Sequence, residues 1–442
     1  MKRLFGTDGV RGKPGQYPLD WKTVAALGAA LVELLHHRGW PERILLAGDT
    51  RESTPLLASW FAGAFVGAGG EVVWAGVLPT PAVSHLLREK PAFGAGVVVS
   101  ASHNPAADNG IKVLAPTGEK LSLEDEDWLE KKLPSTTPRG APFLPSEDGS
   151  FRGAYLAFLE RTLPSRVLFG LKLVVDAANG AASFVAKPFL EAVGAEVTLL
   201  HASPDGRNIN LACGALHPES LAAAVRETAA DAGVALDGDG DRAVLVTHTG
   251  RVLNGDDLLL LWARRLKRQQ LLPGGTVVAT VMSNLALDVA LRREDMRLVR
   301  CPVGDREVWE AMGREGAALG GEQSGHIICA HHSVTGDGLL TAAQVLAFVA
   351  RDGTNLEAQA DLVPFPQVLL GVPVREKRPL EEVPALADAI RDAEAGLGGT
   401  GRLVVRYSGT EKLLRIMVEA RDPGEAHKLA RKLAQIAKRE LG

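Results

Sequence analysis

Cysteine is scarce in this chain of 442 residues: Cys213, Cys301 and Cys329 are the only three, and none forms a Cys-x-x-Cys pair. That excludes a disulfide framework and leaves free, mostly buried thiols in a reducing compartment. Net charge is almost absent, with 49 Lys and Arg against 53 Asp and Glu, so the electrostatic footprint of a general nucleic-acid binder is missing. Long apolar runs are missing too. The longest, residues 57–70, is closed by Glu52 and Glu71 and is too short to span a bilayer. Met1-Lys2-Arg3 is followed at once by Gly6 and Asp8, where no apolar signal core can form. These absences predict a cytoplasmic protein that engages neither nucleic acid nor membrane.

What is present is 46% hydrophobic residues, enough to exclude wholesale disorder, over a length worth about three domains. One pattern occurs three times: a short apolar run, a helical stretch, a break, then a second apolar run. The copies occupy residues 44–74, 173–200 and 277–299. Apolar runs alternating with helices imply βαβ units in largely parallel sheets, and three copies at domain-sized intervals imply three related α/β domains in tandem. A tail of about 80 residues lacks the repeat and reads as a separate α+β domain. With the Pro-rich stretch 134–150 as a linker, the expected domains are 1–150, 151–253, 254–361 and 362–442.

Four polar constellations stand out. Asp237-Gly238-Asp239-Gly240-Asp241-Arg242 follows the apolar run 234–236 and puts three carboxylates on one side of an extended segment, where a divalent cation is the natural partner. An EF-hand is excluded, because Arg242 and His248 stand where the obligatory Gly and Glu belong. Hard oxygen donors favour Mg²⁺, one per chain. Ser102 lies in Ser100-Ala101-Ser102-His103-Asn104-Pro105 at the end of a buried strand, with Lys112 ten residues on. No Gly-x-Ser-x-Gly surrounds it, so a hydrolase elbow is not indicated. Gly321-Glu322-Gln323-Ser324-Gly325-His326 offers donors and acceptors for vicinal sugar hydroxyls. Arg406-Tyr407-Ser408-Gly409-Thr410-Glu411, with Arg415 behind, suits a phosphate nest. A metal, a hydroxyl, a sugar clamp and a phosphate clamp together point to an enzyme acting on a phosphosugar.

The order of these motifs, beginning at Phe5-Gly6-Thr7-Asp8-Gly9-Val10-Arg11-Gly12, resembles the α-D-phosphohexomutase superfamily over essentially the whole chain. Gly-Glu-Gln-Ser-Gly-His, Cys213-Gly214-Ala215-Leu216-His217-Pro218-Glu219 and Val281-Met282-Ser283-Asn284 resemble its glucosamine branch. The resemblance implies three related mixed-sheet α/β domains and a C-terminal α+β lid around a central cleft. It implies that Ser102 is the phosphoserine, that Asp237, Asp239 and Asp241 bind Mg²⁺ with a phosphate oxygen of that serine, and that Lys112 and His326 move protons or touch substrate. Arg11 and Arg242 match arginines near the transferred phosphate. Glu322 and Ser324 match the sugar contacts, and Arg406, Ser408, Gly409, Thr410 and Arg415 the distal phosphate site. The activity implied is interconversion of glucosamine 6-phosphate and glucosamine 1-phosphate through a 1,6-bisphosphate, with glucosamine or glucose 1,6-bisphosphate as activator. Such an enzyme supplies amino-sugar nucleotides for the cell wall. A homodimer is implied as well. The alternatives are a phosphoglucomutase/phosphomannomutase of the same superfamily and a metal-dependent sugar-phosphate phosphatase. Glu307, Leu216 and Lys412 depart from the usual pattern, and Lys412 adds a cation beside the phosphate clamp.

Overall fold

A computed structural model describes residues 4–6, 8–398, 400–408 and 412–442. The chain divides into two compact units, residues 1–280 with 299–361, and residues 281–298 with 362–442.

The first sheet comprises β1 (Val10–Gly12), β2 (Arg43–Gly48), β3 (Glu71–Val77), β4 (Ala95–Val99) and β5 (Asn109–Leu114), in the order β1-β5-β4-β2-β3. The second comprises β6 (Lys172–Asp176), β7 (Glu196–Leu200), β8 (Ala232–Leu236), β9 (Ala243–Thr247) and β10 (Val252–Leu253), in the order β10-β9-β8-β6-β7. The third comprises β11 (Thr276–Thr280), β12 (Arg297–Cys301), β13 (Leu319–Gly321) and β14 (Ile327–Cys329), in the order β12-β11-β13-β14. The threefold pattern of the sequence is thus a shared topology. In each sheet a parallel pair (β2 with β4, β6 with β8, β11 with β13) is followed by an antiparallel return (β4 to β5, β8 to β9, β13 to β14). Such short connections can only reverse the chain, since a parallel crossover needs a dozen residues or more. The three reversing loops carry Ser102, the Asp237–Asp241 run and Glu322.

The helices that cover these sheets follow from composition. Asp20 caps the helix Trp21–Arg38 by accepting from Thr23 N, and Gly39 ends it in the left-handed conformation. Its small residues let it lie close against the helix Thr54–Gly67: a Cβ on Gly28 would sit 2.4 Å from Phe61 O. Leu27, Leu31, Leu34, Phe61 and Phe65 join the core between helices and sheet. Most of the longest apolar run of the sequence is therefore a helix whose residues 57–65 pack largely inward. Among the described residues no helix is long and apolar enough to cross a membrane.

The second unit carries an antiparallel sheet of β15 (Gln367–Pro373), β16 (Gly401–Tyr407) and β17 (Leu413–Ala420), in the order β15-β17-β16, with helices Pro384–Leu397 and Pro423–Leu441. Its core is Leu386, Leu414, Ile416, Val418, Ala430 and Leu433. The segment from residue 281 is stitched to this sheet by polar bonds. Arg402 forks onto Glu419 at 3.0 Å and donates to Val281 O and Ser283 O, while Asn284 exchanges two hydrogen bonds with the Phe365 main chain.

Candidate active site

In the first unit the Ser102 loop meets the Asp237 loop. Ser102 is buried, holds a left-handed backbone (φ 52), and donates from Oγ to Asp237 Oδ2 at 2.7 Å. His103 Nδ1 lies 3.2 Å from the same Oγ. The glycines between the aspartates are needed for contact. A Cβ on Gly238 would lie 2.5 Å from Ser102 O, and Gly240 takes φ 73.

Asp237, Asp239 and Asp241 are all buried, and one oxygen of each lies within 4.8 Å of the others. Asp239 Oδ2 accepts from Thr80 Oγ1 at 2.6 Å and Lys112 Nζ at 2.7 Å. Lys112 also reaches Asp8 at 2.9 Å and lies 3.8 Å from Asp241. Asp239 Oδ1 and Asp241 Oδ1 are buried with no hydrogen-bond partner. Burial, with repulsion from its two neighbours, pushes the Asp237 carboxyl well above its ordinary range, and burial with Asp239 raises Asp241. Burial alone would raise Asp239 as well, but Lys112 outweighs it and the carboxyl is lowered. Burial would lower Lys112, yet Asp239, Asp8 and Asp241 together hold it above the usual lysine range. The cluster carries more negative charge than its fixed cations absorb, and its orphaned oxygens fit a hard divalent cation.

Of the other residues expected at the site, Arg242 and His326 lie near Asp241, and Arg11 pairs with Asp8, which Lys112 also reaches. Arg11 on β1 pairs with Asp8 and donates to Asn104 Oδ1 at 3.2 Å. Arg242 donates from its main chain to Asp237 Oδ1 at 3.2 Å, and its guanidinium lies 3.7 Å from Asp241. His326 is buried, and Nε2 accepts from Gly336 N at 3.2 Å while lying 3.9 Å from Asp241. That leaves the proton on Nδ1, which has no partner. The Glu322 loop docks on the start of β9 through Ala243 N donating to Gly325 O. Glu322 Oε1 accepts from Gly304 N at 3.3 Å, Gln323 donates to Asp256 at 3.1 Å, and Ser324 is exposed at the tip.

In the second unit Arg406 and Arg415 stand directly opposite on β16 and β17. Burial, then the facing Arg415, lowers Arg406 from the ordinary arginine value. Ser408 is buried, donates from N to Leu413 O, and accepts from Lys377 Nζ at 2.6 Å. Lys412 is exposed, while Gly409 and Thr410 lie outside the described residues.

Sequence reasoning missed Asp8, Thr80, Lys120 and Arg51. Lys120 joins Asp8 at 2.8 Å to Asp305 at 2.5 Å. Asp8 sat in the quoted N-terminal motif, and Arg51 just past the carboxyl end of β2, where ligand sites of open α/β sheets gather. A second acid-thiol cluster, Asp176, His201 and Cys213, is a structural one. Asp176 is spent on Ala178 N, Gly214 N and His201, each at 2.9 Å, and burial pushes the Cys213 thiol up to about 12.

Fold and site define a four-domain phosphosugar mutase architecture. Residues 2–139, 154–250, 254–364 and 369–436 match, in turn, the phosphoglucomutase/phosphomannomutase alpha/beta/alpha domains I, II and III and the C-terminal domain. The chain belongs to this phosphoglucomutase/phosphomannomutase family. A curated relative from Solibacter usitatus, a phosphoglucosamine mutase, is 46% identical across 100% of this chain and 99% of its own. Among solved structures, a phosphoglucomutase/phosphomannomutase family protein from Burkholderia thailandensis aligns with TM-score 0.82 at 25% identity, covering 100% and 98% of the two chains. The N-acetylphosphoglucosamine mutase of Aspergillus fumigatus, solved with GlcNAc-6P and magnesium, shares the fold at TM-score 0.66 and 19% identity, over 99% and 96%.

Proposed function

We propose that the chain interconverts glucosamine 6-phosphate and glucosamine 1-phosphate, with Ser102 carrying the phosphoryl group. One observation carries this reading: a buried serine Oγ 2.7 Å from a carboxylate that belongs to a metal-ready triad.

Asp237, Asp239 and Asp241 would hold one Mg²⁺, which when bound neutralises charge on the phosphoryl oxygens. The residues do the rest. Lys112 stays an ammonium and offsets the phosphate charge beside Arg11 and Arg242. Phosphorus passes from Ser102 Oγ to O1 of the sugar, and the proton of that hydroxyl ends on Ser102 Oγ, which donates it to Asp237. The product, a 1,6-bisphosphate, turns; its 6-phosphoryl group then passes to Ser102 Oγ as the bond to O6 breaks and the serine proton moves to O6, leaving glucosamine 1-phosphate. Glu322 and Ser324 take sugar hydroxyls; Arg406, Ser408 and Arg415 take the distal phosphate, where two facing guanidinium groups favour an anion. The reaction is cytoplasmic and feeds amino-sugar nucleotide synthesis.

Ser102→Ala tests the assignment in an assay with Mg²⁺, catalytic 1,6-bisphosphate, and glucosamine, glucose or mannose 6-phosphate. Turnover should vanish in the variant, and the wild type should prefer glucosamine. Activity persisting in the variant sinks the role of Ser102. Equal or better use of glucose or mannose 6-phosphate supports the phosphoglucomutase/phosphomannomutase alternative, and stoichiometric release of inorganic phosphate supports a phosphatase.

A further inference from the structure

We propose that Arg51 is the positioning residue that sets the phosphoryl carrier, acting on the main chain of the Ser102 loop; this rests on the reading of Ser102 given above. Because β2 and β4 run parallel with Gly48 opposite Val99, the segments following them lie side by side, and Asp49 N donates to Val99 O at 3.0 Å. Arg51 therefore enters beneath residues 102–108, with its side chain wholly buried.

A guanidinium has five N–H donors in a rigid fork, and here every one has an acceptor. Nε donates to Asp49 Oδ2 at 2.8 Å. Nη2 donates to Ser102 O at 3.0 Å and Asn104 O at 2.8 Å, and Nη1 to Asp108 O at 2.9 Å and to Pro105 O. The same Asp49 oxygen accepts from Ser100 Oγ at 2.6 Å, and Ser100 Oγ in turn accepts from Ser102 N at 2.9 Å. Both ends of Ser102 are thus tied to one Asp49–Arg51 pair.

The consequence is conformational. A non-glycine residue keeps φ 52 only where its surroundings over-determine it, and rotation of this residue would swing Oγ off Asp237. Arg51 makes no contact with Oγ or with the three aspartates; it gathers carbonyls on one side so that the side chain is presented on the other. A lysine cannot replace it, because one ammonium cannot span four carbonyls and a carboxylate.

The test is Arg51→Lys in the full chain, read as kcat and KM for glucosamine 6-phosphate beside thermal melting. A folded variant should lose kcat by about 100-fold while KM moves less than about threefold, since misplacement costs the transition state rather than binding. Unchanged kcat, or a rise in KM alone, overturns the proposal. If Arg51→Lys does not melt cooperatively, Ser100→Ala carries the question, because it cuts the bridge from Asp49 to Ser102 N and leaves the guanidinium and its carbonyls in place. It should lower kcat by about tenfold at constant KM, and unchanged kcat again overturns the proposal. The reading of Ser102 fails separately, through turnover by Ser102→Ala or absence of phosphate on wild-type Ser102 by mass spectrometry.

Discussion

In the first unit three buried carboxylates crowd together, one of them paired with a lysine; in the second, two arginines face each other across neighbouring strands. Both arrangements oppose stability, because like charges in a half-dry site repel. They differ in how tightly the protein fixes them. Asp239 is clamped by Lys112 and Thr80, and Ser102 holds Asp237, so the acidic site is built before any cation arrives. Arg406 and Arg415 lie on half-buried strand faces, directly opposite one another. The lesson is that a near-zero net charge can hide opposed local clusters of like charge, one acidic and one basic.

The largest effect should come from unbalancing the acidic site in two directions. Asp241→Asn removes one member of a repelling trio. The metal-free variant should melt at or above wild type, while its Mg²⁺-induced rise in Tm disappears and turnover falls about 100- to 1,000-fold. Asp239→Asn takes away the main partner of buried Lys112, and its metal-free melting should fall below wild type, by about 3–5 kcal/mol. Calorimetry with and without Mg²⁺ reads both. If both variants lower metal-free stability alike, the carboxylates are structural and the comparison breaks. A smaller effect is expected from Arg406→Ala, which relieves Arg415. KM for the phosphosugar should rise about 10- to 100-fold with kcat nearly constant and melting unchanged. A drop in Tm with unchanged KM would make Arg406 a packing residue instead.

How legible this was depended on range along the chain. The alternation of Asp237, Asp239 and Asp241 is local, and so is the run of apolar residues before Ser102; both features survive into the structure unchanged. The threefold repeat reappears as matching strand orders because periodicity directly encodes which faces are buried. Contacts that depend on strand register were invisible. Arg51 meets Ser102 only because Gly48 pairs with Val99, and Lys120 meets Asp305 across 185 residues of chain. No spacing rule reports such meetings. Gln323 belongs to a motif that resembles the glucosamine branch; its bond to Asp256, at the start of the helix Gly255–Arg268, gives it a physical task in propping the Glu322 loop.

The smallest expected effect concerns pH, and it again separates the two units: every described carboxyl with a raised value lies in the first. Asp257 is the cleanest, since it sits in the capping box of the helix Gly255–Arg268, where burial lifts it to about 6. Between about pH 4 and pH 6 the folded chain holds a proton there that the unfolded chain has released. Raising pH through this window therefore favours unfolding, and the stability present below it is lost as pH passes 6. Asn keeps the oxygen that accepts from Asn254 N but cannot ionise. Asp257→Asn should accordingly be more stable than wild type at pH 7, by up to about 3 kcal/mol, with the gain fading to nothing near pH 4. Denaturant titrations at pH 4, 5, 6 and 7 read this directly. A constant difference across the series would mean that the cap geometry, and not the buried charge, is what the substitution changed.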